Sequence, residues 1–502
     1  MNFKRNCKHI ISLVAAALAV TGCSLNGTSQ FSHYDYINEK EDKHETKEFN
    51  GYVQYGDYSD YIVPGSKPGQ ETNLGSAYNI FKNYSYEGHI KSEGNQKLLV
   101  IPVDFPDYSI DKLSISKEKY IENLNKAFFG KQNNNAYVSV ANYFNVSSYG
   151  KLRLDGKVCD QFYTFPTKVS DIVKNKVPRD DLVKIYYPKI LEWYKKNYSD
   201  IDDYKIEGLE EGKNVPIYLV YTYPSDSKNE SSTFFWAYTF SDVPLSWSSN
   251  SFMQLEYGEP DAHTYIHETG HLLGLTDYYP TITSDTKSPD PAGRIDMMDC
   301  SVGDETAYSK MLLNWTRPYV VSDSCQINLN SFTQSGDLVL LANDWNKTVF
   351  DEYYLVEFYS PTGLNTYDVS YGNSEAKLPT FPGIKIYHVD TRLAYISNDV
   401  NRTVLAYVGD SSYSPLDKNI ISYAHDNNTY SKPNTYQGNY LYELVLNHAD
   451  YPIVGAASNL HLFRTGDEAR GLPLNKGGLL NYSIKVEAVS FTNATVTISK
   501  IA

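Results

Sequence analysis

The chain has 502 residues, with 60 Asp and Glu against 45 Lys and Arg, a formal net charge of −15. That balance argues against nucleic acid or an anionic membrane surface as a partner and favours solubility. Of five cysteines, Cys7 and Cys23 belong to the start of the chain; Cys159, Cys300 and Cys325 allow at most one intramolecular disulfide, so the fold does not rest on a disulfide framework. A Cys300–Cys325 pair is an open arrangement.

Residues 1–22 read as a targeting segment. Lys4, Arg5 and Lys8 form a basic start, and Ile10 to Val20 an apolar run too short to span a bilayer as a mature helix. The run ends in Val20-Thr21-Gly22-Cys23, which resembles a bacterial lipobox. Cys23 is then expected to carry lipid and to anchor the chain on the extracellular face of a membrane. A plain secretory signal is the alternative, and both export the protein. Residues 23–95 are polar and lack a helical or strand period, as a tether would, with the charged stretch Glu39 to Glu48 keeping it solvated. Its aromatic parts, Tyr52 to Tyr61 and Leu74 to Tyr86, suit an inhibitory pro-segment or an N-terminal wrap. No cysteine lies between 24 and 158, so a metal-blocking thiol is excluded; Asp57, Asp60 or His89 would have to serve, against the simpler reading of a surface loop.

Lys97 to Phe105, KLLVIPVDF, is an apolar run bounded by turn formers and predicts a buried strand opening a domain over 96–320. Lys117 to Phe129 has amphipathic helical spacing. Ser139 to Phe144 starts or continues another helix, broken at Ser148-Tyr149-Gly150, and Lys151 to Val158 reads as a strand. Asp180 to Tyr194 looks helical with a kink at Pro188. Val215 to Tyr223 is a strong strand, and Phe234 to Tyr238 a second apolar run.

The stretch from His267 to Asp277, HETGHLLGLTD, reads as a zinc site. Residues four apart share a helix face, so His267 and His271 can both reach one ion, with Glu268 beside them to take a proton from water. Gly274 lets the chain leave the helix sharply and return Asp277 as a third ligand. Three protein ligands leave one position open, the mark of a catalytic site. His263, a further helical turn upstream, is the competing third ligand.

The extended pattern HExxHxxGxxD resembles the metzincin zinc peptidases, and specifically the immune-inhibitor-A-like family, in which Asp replaces the commoner third His. The family's methionine turn is matched by Arg294 to Asp299, RIDMMD, with Met297 or Met298 in the supporting place, and Ala307 to Trp315 also resembles it. Ser139 to Leu154 and Pro382 to Asp390 extend the likeness on both sides. The resemblance implies an α+β metzincin-like zinc peptidase domain. It also implies an edge strand near Phe234 to Tyr238 that pairs with the substrate backbone, against an ordinary buried strand, and an oxyanion-donating tyrosine, for which Tyr278 and Tyr279 are the candidates. The acidic residues Asp285, Asp290, Asp296, Asp299 and Asp304 offer the hard oxygens of a structural Ca2+ site but lack EF-hand spacing, so a solvated loop is the first reading.

Beyond Pro318 short strand-like runs recur at Leu338 to Leu341, Tyr353 to Tyr359, Gly383 to Val389, Thr403 to Val408, Tyr440 to Leu446, Ser483 to Val489 and Ala494 to Ile498. They predict an all-β, sandwich-like C-terminal domain over 321–502. His388 and Asp390 alternate on one of these strands, a pattern read as structural before metal-binding. The expectation is a lipid-anchored, zinc-dependent endopeptidase of extracellular proteins, glycoproteins included given 46 Tyr available for stacking on sugars. Its rivals are a surface adhesin or glycan- or protein-binding lipoprotein with a vestigial zinc site, and a zinc hydrolase of a non-peptide bond.

Overall fold

The structure, a computed structural model, describes residues 47–49, 52–54, 90–130 and 138–224, then 233–280 apart from 241, 251–254 and 257–258. It also describes 291–501 apart from 300–302, 317, 346–348, 371–378, 397–405, 408–419, 424, 428–438, 449–452 and 454–455. The leader with Cys23, the candidate blocking residues Asp57, Asp60 and His89, and Asp285, Asp290 and Cys300 lie outside the described residues. The fold is mixed α and β with several sheets, and it divides into two compact units. One comprises 85–146 and 150–275, the other 1–84, 147–149 and 276–502.

The first unit is built on β1 (Gly94–Asp104), α1 (Lys117–Phe129), α2 (Val140–Ser147), β2 (Leu152–Val158), β3 (Tyr163–Thr164) and α3 (Val169–Asn175). It continues with α4 (Tyr187–Asn197), β4 (Ile217–Tyr221), β5 (Tyr238–Phe240), β6 (Leu245–Ser249) and α5 (His263–Leu272). The sheet order is β2–β1–β4–β6–β5, with β3 also pairing β1. β2, β1, β4 and β6 are parallel, and only the edge strand β5 runs antiparallel. Parallel strands are covered on both faces, which is why β1 and β4 read as unbroken apolar runs. On one face Leu99, Ile101, Leu219, Tyr221 and Trp247 pack with Ile190, Leu191 and Tyr194 of α4. On the other, Tyr218 meets Phe128 of α1 at 4.9 Å and Tyr265 of α5 at 5.5 Å between ring centroids.

Two expectations shift here. The helix predicted over 180–194 is a π-helical turn, Leu182–Tyr186, feeding α4, with Pro188 in the first turn of α4 where its missing N–H costs nothing. The proline marks a boundary and not a mid-helix kink. Phe234 to Tyr238 is not one strand. Phe234 and Phe235 sit in a 3-10 turn and are driven into the core, Phe234 5.2 Å from Trp247, whose Nε1 donates to Phe234 O at 2.8 Å. The edge strand starts only at Tyr238.

The second unit carries α6 (Ala307–Leu312), β7 (Pro318–Val321), β8 (Cys325–Asn330), β9 (Leu338–Leu341), β10 (Glu352–Tyr359) and β11 (Gly383–Asp390). β12 (Tyr442–Leu444), β13 (Glu468–Ala469), β14 (Tyr482–Val489) and β15 (Asn493–Lys500) follow. One sheet contains β7–β9–β10–β11–β12 and is extended beside β7 by Lys47–Phe49 and Tyr52–Gln54, so part of the expected tether forms strands. The other runs β8–β15–β14–β13. Val339, Tyr354, Val356, Phe358 and Ile386 from the first sheet share one core with Ile327, Leu329, Ile484, Val486, Val496 and Ile498 from the second, in a β-rich region. Of Thr403 to Val408, Ala406–Tyr407 is a described strand, in a separate three-stranded sheet with Leu393–Ile396 and Ile420–Tyr423.

The compact units divide at 275/276, ahead of the expected domain end at 320. The segment between is bonded to the C-terminal strands. Ala307 N–H donates to Glu357 Oε2 at 2.9 Å, and Asp304 takes Thr333 Oγ1 and the buried Lys310 Nζ, each at 2.6 Å. Cys325 is a free, buried thiol, pushed up to about 11 by burial, and Cys159 is likewise free and pushed up to about 12.

His388 joins three neighbouring strands. Its Nε2 meets Glu352 Oε1 and its Nδ1 Glu443 Oε1, both at 2.9 Å, and its ring stacks 4.7 Å from Tyr354. Asp390 on the same strand is bound by Arg392 at 2.7 Å and by His425 at 3.0 Å. The His388–Asp390 alternation therefore serves an ion-pair network. Burial alone would lower the His388 pKa from 6.5, but the bonds to Glu352 and Glu443 outweigh it and hold it at about 9. A pKa raised in the folded state gives stability that is full below about 6.5 and lost as pH rises through about 9. We predict that the urea midpoint of the wild type falls between about pH 7 and 10. His388→Gln should be less stable at pH 7 by about 1–3 kcal/mol and lose this component of the slope; superimposable pH profiles for the two would contradict the assignment.

Candidate metal centre

α5 begins where Asp261 Oδ1 accepts the His263 N–H at 2.8 Å, satisfying one of the helix's orphan donors. Its inner face is fixed by Tyr265, stacked on Phe128 at 5.0 Å and 14°, and by buried Ile266, Thr269 and Leu272. That leaves His267 and His271 on the half-exposed face, their ring centroids 4.9 Å apart. The helix ends in a Schellman motif. Gly274 N–H donates to His271 O at 2.9 Å, Leu275 N–H donates to Gly270 O at 3.1 Å, and Gly274 takes φ +99°, a left-handed value that favours glycine.

The reversal does two things along this one stretch of chain. Leu275 O comes within 2.8 Å of His271 Nδ1, which leaves Nε2 of that ring for a ligand role. It also brings Asp277 back, so that donor atoms of His267, His271 and Asp277 all lie within 4.8 Å of one another. Among the described residues these three form the metal-competent group, and His263 is not part of it. Two imidazole nitrogens and a carboxylate oxygen are donors that suit Zn2+, and three of them leave a position for substrate or water, so the residues present fit the ion.

Glu268, next to His267 on the helix, is 5% exposed. Thr239 Oγ1 of β5 lies 2.9 Å from Glu268 Oε2 and 2.8 Å from Glu268 O, and Ser246 Oγ of β6 lies 2.8 Å from Thr239 Oγ1. Neither Thr239 nor Ser246 is singled out by the sequence. The only signal was the expected edge strand, misplaced by a few residues.

The other expected site residues separate. Tyr278 is fully buried in the second unit, its hydroxyl 3.0 Å from Ser309 Oγ. Burial pushes its phenol well above the ordinary range. Tyr279 is half-buried. Met297 and Met298 are both fully buried in a 3-10 turn, and Met298 O accepts the Tyr278 N–H at 3.0 Å, tying the turn to the residue just after Asp277. The turn hangs on Asp296, a residue of the RIDMMD stretch and one of the calcium candidates. Its Oδ1 accepts Met298 N–H at 2.8 Å, while Oδ2 accepts Thr306 N–H at 2.9 Å and Ser309 Oγ at 3.0 Å. Asp299 Oδ2 accepts Arg294 N–H at 2.6 Å, and Asp304 is bound by Lys310 and Ser147. Each of these three aspartates thus accepts hydrogen bonds from protein donors.

Compared with known proteins, the chain matches no protein-family model and no curated relative.

Replacing Gly274 by Ala forces a side chain into left-handed backbone at a cost of about 1–3 kcal/mol and loosens the return of Asp277. We predict a lower melting temperature and loss of zinc at a lower chelator concentration than wild type. Unchanged zinc retention would separate the helix end from the metal centre.

Proposed function

We propose that this chain is a zinc-dependent endopeptidase resembling the metzincins of the immune-inhibitor-A-like kind. In this reading it is exported and held on the outer face of a bacterial membrane through lipid on Cys23. The observation that carries the reading is the grouping of His267, His271 and Asp277, together with a buried carboxylate, Glu268, that follows His267 on the helix and is bonded to Thr239 of the edge strand. A binding protein has no need of a base beside its metal. A mostly parallel sheet with one antiparallel edge strand, and one helix, α5, carrying the HExxH pattern beside that strand, is in keeping with the reading.

When bound, zinc would supply Lewis acidity toward water and toward the scissile carbonyl. His267, His271 and Asp277 hold it, with the His271 ring oriented by Leu275 O. Glu268 acts as general base and acid. Held at Oε2 by Thr239, its carboxylate takes the proton from the attacking water and returns it to the leaving amine nitrogen. The outer edge of β5 has no neighbouring strand among the described residues, so an extended peptide can add there through backbone hydrogen bonds. That favours peptides over other hydrolysable substrates. Tyr279 is the remaining tyrosine for the oxyanion, since the Tyr278 hydroxyl is committed to Ser309.

Wild type and Glu268→Gln should bind zinc equally and melt alike, while casein hydrolysis falls at least about 10²-fold in the variant. A chelator should abolish wild-type hydrolysis, and added zinc should restore it. Full activity in Glu268→Gln would sink the mechanism. Separately, Cys23→Ala should move the exported chain from the membrane fraction to the medium; membrane retention of that variant would remove the lipid anchor.

A further inference from the structure

Thr239 is the middle residue of the three-residue edge strand β5. Strand alternation sends its neighbours Tyr238 and Phe240 to the opposite face, where Phe240 joins the aromatic core. Thr239 alone on this strand therefore faces α5. Three oxygens surround its hydroxyl: Glu268 Oε2 at 2.9 Å, Glu268 O at 2.8 Å and Ser246 Oγ at 2.8 Å. A hydroxyl has one proton to give. The carboxylate is the stronger acceptor, so the Thr239 proton goes to Oε2. Ser246, directly across the strand pair from Thr239, then donates to Thr239 Oγ1 or to Glu268 O, which is 3.3 Å away.

We propose that Thr239 is a positioning residue that fixes the Glu268 carboxylate and references it to the strand that receives substrate. An unrestrained glutamate spreads over several rotamers, and a misplaced base loses rate without losing binding. Here the restraint comes from the sheet and not from the helix that carries Glu268. The strand whose Thr239 side chain holds Oε2 is the outer strand of the sheet among the described residues, so peptide and base share one frame. This inference rests on the peptidase reading.

The test uses the full chain, zinc-loaded, as wild type, Thr239→Val and Thr239→Ser. Valine keeps the shape and removes the hydroxyl; serine keeps the hydroxyl. Equal zinc content and melting temperature establish that the variants fold. For a fluorogenic peptide, kcat should fall about tenfold to a hundredfold in Thr239→Val with KM nearly unchanged. Thr239→Ser should recover most of that loss. A readout independent of turnover is calorimetric binding of acetohydroxamate, whose hydroxyl needs the base in place. Its Kd should rise at least about tenfold in Thr239→Val and return in Thr239→Ser. Equal kcat and equal Kd in wild type and Thr239→Val overturn the role of Thr239 and leave the peptidase reading standing, as does an equal loss in both variants. Absence of hydrolysis by zinc-loaded wild type overturns the peptidase reading and this role with it.

Discussion

A helix that stops must hand its last carbonyl groups to new donors, and at the end of α5 that requirement shapes the whole candidate centre. With Gly274 in left-handed backbone, its N–H closes onto His271 O and the Leu275 N–H onto Gly270 O. The same reversal carries Leu275 O to the His271 ring and Asp277 to the side of both histidines. A β-branched or bulky residue at 274 would meet backbone strain at the point where ligand geometry is set. The spacing from His271 through Gly274 to Asp277 is thus a statement about hydrogen bonding as much as about metal ligands.

What could be read from the sequence was what is local and periodic. Lys117 to Phe129 was legible to the residue, because Ser116 caps it, accepting Lys119 N–H at 3.2 Å, and Gly130 ends it. The metal-competent triad was legible because its members lie within one turn and one reversal of each other. β6 was not: LSWSS looks too polar for a buried strand. Its serines are buried only because partners wait for them, Ser248 at 2.5 Å from the Tyr218 hydroxyl and Ser249 at 2.7 Å from Tyr223 O. Thr239 and Asp296 were missed for the same reason. Their significance lies in what distant parts of the chain bring to them, and a hydroxyl or carboxylate in isolation carries no sign of it.

The second unit buries charge where paired strands would ordinarily bury hydrocarbon. Glu357 pairs with Lys385 at 3.3 Å across β10 and β11, and Glu352 with His388 at 2.9 Å in the same strand pair but on the opposite face. Buried pairs of this kind add little net stability, since desolvation offsets attraction. Their effect is on register. A slip of one residue between β10 and β11 would send each charge to the wrong face and leave it without its partner, a penalty far larger than any alternative packing returns. Two pairs, one on each face, therefore specify a single alignment of strands that are otherwise interchangeable apolar runs.

The geometry of β5 follows from its connection. A turn between Phe240 and Leu245 joins β5 to β6 too briefly for a crossover, so β5 must run antiparallel to a sheet that is otherwise parallel, and it must lie outermost. An exposed edge is a liability for any sheet because it invites pairing with other chains. Here it is kept to three residues, ending in the buried Phe240, while Tyr238 at its start is covered in part by the Arg179 guanidinium 3.9 Å above the ring. Such an edge is too short to template a second sheet yet long enough for one extended peptide. Under the proposed peptidase activity, the turn that makes β5 an edge is also what sets Thr239 against Glu268. Substrate pairing and base placement would then descend from a single constraint on chain connectivity.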